Sequence, residues 1–268
     1  MDLNPIVAVF LGALQGATEF LPISSSGHLV IVPALTGLKP PPIAFDVLLH
    51  AGTLVAVVAY FRRDLLSLLV QSLRDLRERS LGPGSKLLAV LTLASVPAAL
   101  AGLLFDELFE KMFASPPAAG AFLLVTAGLL FLADAAGKRE GSMERLGWCG
   151  ALTVGVAQAF AIAPGISRSG STISAGMFLG LKREEAARFS FLLSIPIVAG
   201  TTLLHVRQFT AEGVGLPAAV AGFLAAALVG YACIAFLLRY LSSHGLRPFA
   251  VYCLLAGAFT IAVFLLKS

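Results

Sequence analysis

The chain has 268 residues, of which 58% are hydrophobic and only 13% are charged, and its mean hydropathy is +0.91. Soluble domains carry about 25% charged residues, so this composition excludes an ordinary soluble protein and indicates an integral membrane protein. The net charge of +4 would suggest nucleic-acid binding in a soluble protein. Here the basic residues cluster in particular loops, as the positive-inside rule describes, and we expect no nucleic-acid partner.

The first apolar segment, residues 3–20, leads into a polar motif, and only ten more apolar residues, 29–38, follow before a proline-rich stretch. Ten helical residues extend about 15 Å, which is half of the roughly 30 Å hydrocarbon core. The pattern predicts a re-entrant helix-loop-helix hairpin whose loop lies at mid-depth in a protein-lined or wet cavity. Residues 146–163 and 172–181 repeat the arrangement around a second polar motif.

Six further apolar segments are each long enough to cross the bilayer, and three of them follow each hairpin. They are residues 43–61, 86–105, 117–135, 186–206, 217–239 and 249–266. An odd number of crossings turns the second half upside down relative to the first, which is the inverted-topology repeat of many transporters. We expect an all-α integral membrane protein, a single domain over residues 1–268, with six transmembrane helices and two re-entrant hairpins in repeats 1–136 and 144–268.

Charge orients this arrangement independently. If the first hairpin enters from outside, most of the 19 basic residues fall on the cytoplasmic side. Residues 64–81 then form an amphipathic cytoplasmic segment between two crossings. The basic residues left on the outer side are Lys39, Lys111, Arg207 and Lys267. This bias is strong enough to set the orientation.

The two polar motifs are near copies, because a shift of 143 residues pairs Gln15 with Gln158 and keeps several serines and glycines in register. The first copy carries the carboxylate of Glu19 and the imidazole of His28, whereas the second carries the guanidinium of Arg168. Charges inside a bilayer cost about 2.5–3.5 kcal/mol on insertion scales. These groups are therefore expected to face a cavity and to be functional.

Arg168 lies before a half-helix that we expect to begin near Thr172. Helix N-termini present free N–H groups and partial positive charge, and an arginine fork above them suits a phosphate. A purely structural pairing of Arg168 with Glu19 is the alternative. Neighbouring glycines that allow close approach and serines that donate or cap are further candidates for substrate binding: Gly165, Ser167, Ser169 and Gly170.

Glu19 follows Gln15 by one helical turn, so both side chains face the same way. A carboxylate beside a phosphate site can hold Mg²⁺ or Ca²⁺, act as a base, or form only a salt bridge. His28 is a candidate for proton transfer or direct attack. The serines of the first motif are candidates for substrate contacts, a nucleophile or simple helix caps: Ser24, Ser25 and Ser26.

Three other acidic or imidazole side chains are predicted to support the site or to have no role in it. Asp46 and His50 lie one turn apart on the next segment, and we interpret them as structural support. Asp134 lies near a helix end, where we expect it to reach water.

Three stretches of these motifs form a specific pattern. Gln15 and Glu19 fit a Glu or Gln four residues before a Glu, residues 20–28 fit Phe-Leu-Pro-x-Ser-Ser-x-Gly-His, and residues 164–172 fit Pro-Gly-x-Ser-Arg-Ser-x-x-Thr. In these motifs the chain resembles the undecaprenyl-diphosphatase family, membrane phosphatases associated with bacitracin resistance. Gln15 stands where many members carry a second Glu, so this site has one carboxylate fewer.

The resemblance implies hydrolysis of undecaprenyl diphosphate to undecaprenyl phosphate and inorganic phosphate, which recycles the lipid carrier of cell-wall synthesis. It implies a site open to the outer face of the bacterial inner membrane and dependence on a divalent cation. From the residues, the candidate ion is Mg²⁺ or Ca²⁺ and its candidate ligand is Glu19. The implied partners are the polyprenyl diphosphate and membrane lipids, with a homodimer as an open alternative. By position, the family's functional residues fall on Glu19, Ser25, His28, Ser167, Arg168 and Thr172.

Two questions stay open at the level of sequence. The nucleophile is Ser25, His28 or water, and we expect loss of His28 to be more damaging than loss of Ser25, because imidazole titrates near neutral pH. The architecture alone also fits a secondary transporter or a lipid-carrier flippase with an anion site between its repeats.

Overall fold

The computed structural model describes residues 3–39, 41–105, 115–136, 140–205 and 214–267, together with positions 108 and 112. Within these residues the chain is helical apart from turns, short loops and one isolated bridge between Gly141 and Leu181. A 3₁₀ turn covers Met143–Arg145. The described α-helices, numbered in chain order, are α1 Pro5–Phe20, α2 Ser25–Thr36, α3 Ile43–Tyr60, α4 Arg62–Arg77, α5 Pro83–Leu104, α6 Pro116–Ala135, α7 Trp148–Phe160, α8 Arg168–Phe178, α9 Arg183–His205, α10 Leu216–Leu241 and α11 Arg247–Lys267.

Six of these helices are long and apolar enough to cross a membrane: α3, α5, α6, α9, α10 and α11. The apolar helices α1, α2 and α7 are shorter, and α8 has only 11 residues. The expectation of an all-α, multi-pass membrane protein is thereby confirmed, and these six helices are the candidates for the expected crossings. The sequence explains several helix starts, because Asn4 caps α1 from the position before Pro5 and Ser115 caps α6 before Pro116, the order that favours a helix N-terminus.

Small residues allow the helix backbones to pack closely. A Cβ atom on Gly16 of α1 would lie 2.6 Å from the carbonyl oxygen of Ala226 on α10, and one on Gly155 of α7 would lie 2.6 Å from that of Ala94 on α5. Side chains at these two glycines would push the pairs apart. Close approach of this kind is a main source of helix association in a bilayer, where apolar burial gives little driving force.

Asp134 differs from its sequence-based expectation. Its side chain is only 6% exposed, and its Oδ1 accepts hydrogen bonds from Arg183 Nε at 3.1 Å and Nη2 at 3.0 Å. Its Oδ2 lies 3.3 Å from Nε of Arg247. The sequence could not show this, because the two arginines come from α9 and α11. Asp134 therefore joins the ends of three crossings.

The amphipathic segment expected at residues 64–81 corresponds to α4. Apolar side chains remain exposed along one side of this helix, among them Leu69 and Leu73. Asp64 near its start pairs with Arg188 of α9, and Asp75 near its end accepts a hydrogen bond of 2.8 Å from the backbone N–H of Ser85. These contacts join α4 to α9 near its start and to α5 near its end.

Candidate active site

The loop between α1 and α2 contacts the loop between α7 and α8. Ser24 Oγ donates to the carbonyl oxygen of Ile166 at 3.4 Å, and Ser169 Oγ donates to that of Leu21 at 3.2 Å. Each loop therefore provides a hydroxyl group to a carbonyl of the other. The two polar motifs, 143 residues apart in sequence, meet in a single buried region.

Gly165 makes this contact possible. Its φ of 101° lies in the region that favours glycine, and a Cβ there would collide with the carbonyl oxygen of Ala119 on α6. Thr126 of α6 fixes the same loop, because its hydroxyl donates to the carbonyl of Gly165 at 2.9 Å and accepts from the N–H of Ser167 at 3.0 Å. Sequence reasoning missed Thr126, since a threonine in an apolar crossing carries no motif.

Both short inner helices begin earlier than the sequence suggested. Helix α8 starts at Arg168 with Ser167 as its N-cap, four residues before the expected start near Thr172. Helix α2 starts at Ser25 with Ser24 as its N-cap. Serine hydroxyls satisfy the first free N–H groups, as the 3.0 Å bond from Gly170 N to Ser167 Oγ shows. Arg168 is thus the first residue of the helix, which fixes its backbone.

Glu19 is the centre of the site. Its carboxylate is 6% exposed and forms a 2.7 Å ion pair through Oε1 with Nη2 of Arg168. Its Oε2 accepts a hydrogen bond of 2.6 Å from Ser25 Oγ and one of 2.9 Å from Gln15 Nε2. The expected approach of Arg168 and Glu19 is therefore present in the structure, and Ser25 and Gln15 join them.

Some hydrogen-bonding atoms at the site are buried and have no partner among the described residues. Nη1 of Arg168 and Oε1 of Gln15 belong to this group. Buried polar atoms normally find partners, and an exception calls for an explanation. A phosphate oxygen would satisfy the guanidinium N–H group, whereas a cation would satisfy the amide oxygen. These two atoms therefore mark the positions at which a ligand would complete the hydrogen bonding of the site.

His28 lies near this cluster but is fully engaged elsewhere. Nδ1 is 2.7 Å from the carbonyl oxygen of Ser24, and Nε2 is 2.7 Å from the hydroxyl of Tyr252 on α11. One neutral tautomer fits both contacts, in which Nδ1–H donates to Ser24 and Nε2 accepts from Tyr252. Ser24 has a φ of 71°, uncommon for a residue with a side chain, and the His28 bond holds its carbonyl there. Tyr252 was not found from the sequence.

His50 lies closer to the carboxylate than its expected supporting role implied. Its Nε2 is 3.8 Å from Oε2 of Glu19, and its side chain is 29% exposed. Its Nδ1 is 2.8 Å from the carbonyl oxygen of Asp46, one turn earlier on α3. The one-turn spacing of Asp46 and His50 was visible in the sequence, but their proximity to Glu19 was not.

The remaining sequence candidates have structural contacts. Thr172 is fully buried, and its hydroxyl lies 2.6 Å from that of Ser190 on α9 and donates to the carbonyl of Arg168 at 2.8 Å. Ser26 contacts Ser24 at 3.3 Å between hydroxyl oxygens, and Ser167 contacts Ser169 at 3.2 Å. These hydroxyls shape the loops, while Ser25 alone of the described serines bonds to Glu19.

Comparison with known proteins gives a consistent result over nearly the whole chain. A family model described as bacitracin resistance protein BacA matches residues 8–259. A protein of Rubrobacter xylanophilus named undecaprenyl-diphosphatase is 47% identical, over 98% of this chain and 100% of its own length. Proteins with the same name from Pelobacter propionicus and Geobacter metallireducens are 45% and 44% identical, and the matches cover 98% and 97% of their lengths.

Proposed function

The chain belongs to the bacitracin resistance protein BacA family, and from this membership we propose that it hydrolyses undecaprenyl diphosphate to undecaprenyl phosphate and inorganic phosphate. The name undecaprenyl-diphosphatase, shared by relatives that match nearly full length, supports this substrate. The observation that carries the proposal is the cluster of Ser25, Glu19 and Arg168, in which a hydroxyl, a carboxylate and a guanidinium lie within hydrogen-bond distance. These are the groups that phosphoryl transfer to a serine requires.

In the proposed mechanism Ser25 is the nucleophile. Its Oγ attacks the terminal phosphorus while its proton passes to Glu19 Oε2, which already accepts that hydrogen bond at 2.6 Å. As the Oγ–P bond forms, the bridging P–O bond breaks, and its electron pair leaves with undecaprenyl phosphate. Water then attacks the phosphorus of the phosphoserine and the P–Oγ bond breaks. Glu19 returns its proton to Ser25 Oγ, and the hydrogens of the water leave with inorganic phosphate.

Arg168 has two tasks in this mechanism. Its Nη2 holds the Glu19 carboxylate at 2.7 Å, and its Nη1, free of partners in the described chain, is available to a phosphoryl oxygen. The N-terminus of α8 places its partial positive charge at the same point. Donors fixed before the reaction stabilise the charge that spreads over the phosphoryl oxygens in the transition state.

His28 is proposed as a positioning residue rather than the nucleophile. Both of its ring nitrogens are within hydrogen-bond distance of other groups, Ser24 and Tyr252, so it is not free to attack phosphorus. By holding the carbonyl of Ser24 it fixes the residue that precedes Ser25. The expectation that His28 matters more than Ser25 is thus replaced in this proposal by the opposite order.

A divalent cation, Mg²⁺ or Ca²⁺, is part of the proposal. The oxygen-rich donors fit such a hard ion, since Glu19 offers a carboxylate and the buried Oε1 of Gln15 has no partner among the described residues. When bound, the ion would neutralise charge on the diphosphate. Mg²⁺ commonly takes one or two protein carboxylates and completes its shell with phosphate oxygens and water, so one carboxylate is enough.

We also propose the inverted repeat with two re-entrant hairpins, α1–α2 and α7–α8. Its support is a reciprocal packing pattern, in which α1 packs on α10 while α7 packs on α5, and α3 packs on α10 while α9 packs on α5. When the first half, α1–α6, is exchanged for the second half, α7–α11, the contact of α1 with α10 corresponds to that of α7 with α5. The contact of α3 with α10 likewise corresponds to that of α9 with α5. In this arrangement the site opens to the outer face of the bacterial inner membrane. That orientation depends on the count of basic residues on each side, which includes Lys111 and Arg207, and these two lie outside the described residues. A homodimer is a separate alternative that no observation tests.

The deciding experiment measures phosphate release from long-chain polyprenyl diphosphate by the purified protein in detergent. Release with a divalent cation, and its loss in excess chelator, is the expected result. A transporter or flippase without hydrolytic activity would release no phosphate, and nothing in the comparisons favours that alternative. Full release after metal-free preparation in chelator would refute the role of the cation but leave the hydrolase intact.

A further inference from the structure

Helix α4 has an apolar face that no other part of the described chain covers. Its side chains are between 53% and 72% exposed, and their spacing of three and four residues places them on one face of the helix. The helix has only 16 residues and is not among the six that are long and apolar enough to cross a membrane. A contiguous exposed apolar face of this kind indicates an interaction surface. The face consists of Leu66, Leu69, Val70, Leu73 and Leu76.

The buried side of α4 fixes how the helix is turned. Leu65 and Leu68 pack against the hydrophobic core. Asp75 is buried, and its Oδ2 accepts a hydrogen bond of 2.8 Å from the N–H of Ser85 on α5. A Cβ atom on Gly84 of α5 would lie only 2.8 Å from the backbone nitrogen of Ser72, so the two helices are in close contact there. With this side held against the protein, the apolar face is directed outward.

Arginines border the apolar face along its outer edge. Arg63 and Arg74 are eleven residues apart, which is about three helical turns, so they lie in line along α4 with Val70 between them. Both side chains are exposed, and neither forms an ion pair within the described residues. The same holds for Arg77 and Arg79 at the end of the helix. The edge of the apolar face therefore carries uncompensated positive charge.

From this arrangement we propose that α4 binds the anionic surface of the lipid bilayer. Its apolar face enters the boundary of the acyl chains, and Arg63 and Arg74 bind lipid phosphates. An apolar face bordered by basic residues is typical of helices that lie in the membrane interface. Arginine suits this position, because its stem covers apolar surface while its guanidinium reaches a phosphate with two donors. The proposal uses no residue of the candidate active site and does not depend on the proposed hydrolysis.

The charges favour a lipid surface over a second copy of the chain as the occupant of this face. The two acidic side chains of α4 are engaged within the chain, since Asp64 pairs with Arg188 and Asp75 accepts from Ser85. A symmetric contact of two copies uses the same surface on both. It would bring the arginines of one copy near those of the other, with no carboxylate of α4 free to compensate. An anionic leaflet supplies the opposite charge.

Tryptophan fluorescence in vesicles tests the proposal. The chain has one tryptophan, Trp148, so a Leu73→Trp/Trp148→Phe protein reports from the apolar face alone. The full-length protein is reconstituted in mixtures of phosphatidylcholine and phosphatidylglycerol, with one of the two lipids brominated in its acyl chains. Quenching then measures which lipid contacts α4. We expect strong quenching and a preference of at least about 5-fold for phosphatidylglycerol, the effect of one arginine near an anionic surface.

The arginines are tested in the same reporter protein. Arg63→Gln/Arg74→Gln should bring the preference for phosphatidylglycerol close to one while the quenching itself persists, because the apolar face is unchanged. Arg63→Lys/Arg74→Lys should keep most of the preference, since it keeps the charge. High salt should lower the preference of the unchanged arginines, because exposed charges are screened.

A second reporter position is the matched control. Leu228 in the middle of α10 is 71% exposed, so a Leu228→Trp/Trp148→Phe protein reports lipid contact on a crossing. It should be quenched by brominated lipid with no preference for either headgroup. Thermal unfolding and phosphate release should match the wild type in every variant, which shows that the proteins are folded.

Three results would overturn the proposal. Absence of quenching by either brominated lipid would mean that protein or water covers the apolar face. Equal quenching by the two lipids at α4 would mean that the face contacts acyl chains without binding anionic headgroups. A preference for phosphatidylglycerol that survives Arg63→Gln/Arg74→Gln would mean that these arginines do not bind the phosphates. None of these results bears on phosphate release, which reports separately on the proposed function.

Discussion

Replacement of Arg168 by lysine tests the central geometry of the site. Arg168 uses Nη2 to hold Glu19 at 2.7 Å, and its Nη1, which has no partner among the described residues, is the atom that we propose for the substrate. Lysine retains the charge but has a single nitrogen on a flexible stem, so it cannot reproduce a planar fork with two directed donors. The Arg168→Lys protein must therefore give up one of the two contacts.

The size of the effect follows from the contact that is lost. A hydrogen bond to a charged group contributes about 1.5–3 kcal/mol, which corresponds to a loss of roughly 10- to 150-fold in kcat/KM. Arg168→Ala should cost more, because it also leaves the 6%-exposed Glu19 carboxylate without its ion pair. Removing one partner of a buried pair destabilises proteins by about 3–5 kcal/mol.

The assay is phosphate release at several substrate concentrations, together with thermal unfolding in detergent. Arg183→Lys is the matched control, since Arg183 forms a similar two-donor contact with Asp134 away from the site. It should change stability slightly and kcat/KM hardly at all. Near-normal kcat/KM in Arg168→Lys would refute the argument and show that a diffuse positive charge is sufficient.

Other predictions concern the nucleophile, the loop and the topology. Ser25→Ala should abolish all but residual hydrolysis, whereas His28→Ala, which loses only a positioning contact, should retain measurable turnover in the same assay. Thr126→Val should lower the free energy of unfolding by about 2–6 kcal/mol, because it leaves two buried backbone groups unpaired at about 1–3 kcal/mol each. In intact cells with a cysteine-free background, a thiol reagent that does not cross membranes should label a cysteine at Lys39 but not one at Glu144.

Clear results would contradict each of these. A Ser25→Ala protein that works as well as His28→Ala, or better, would exclude the serine nucleophile. Unchanged unfolding of Thr126→Val would mean that water replaces the threonine hydroxyl in the loop. Labelling at Glu144 with protection at Lys39 would reverse the proposed orientation.

Much of the site could be inferred from local patterns in the sequence. That Glu19 and Arg168 face a cavity was expected from the cost of charge in a bilayer, with their pairing as an alternative, and the serines at the starts of α2 and α8 were expected from capping preferences. Those inferences depend on residues close together in sequence or on one large free-energy cost, that of placing a charge inside the bilayer. The start of α8 was misplaced by four residues, because serine and glycine are weak helix formers and hid a helix that Ser167 caps.

The contacts that were missed all join distant elements. Thr126, Tyr252 and the approach of His50 to Glu19 depend on how α6, α11 and α3 pack around the loops. Asp134 was misjudged for the same reason, since its arginine partners come from other helices. A single sequence shows which side chains need partners, but it does not show which helix brings them.

The exchange of hydroxyl groups between the two loops has a consequence for biogenesis. The carbonyl of Leu21 accepts from Ser169 Oγ as well as from the N–H of Ile23, and the carbonyl of Ile166 accepts from Ser24 Oγ. Each motif therefore donates one hydroxyl hydrogen bond to the other, and we expect these bonds to form only after the late half of the chain has been synthesised. We expect the candidate active site to be among the last parts of the protein to mature.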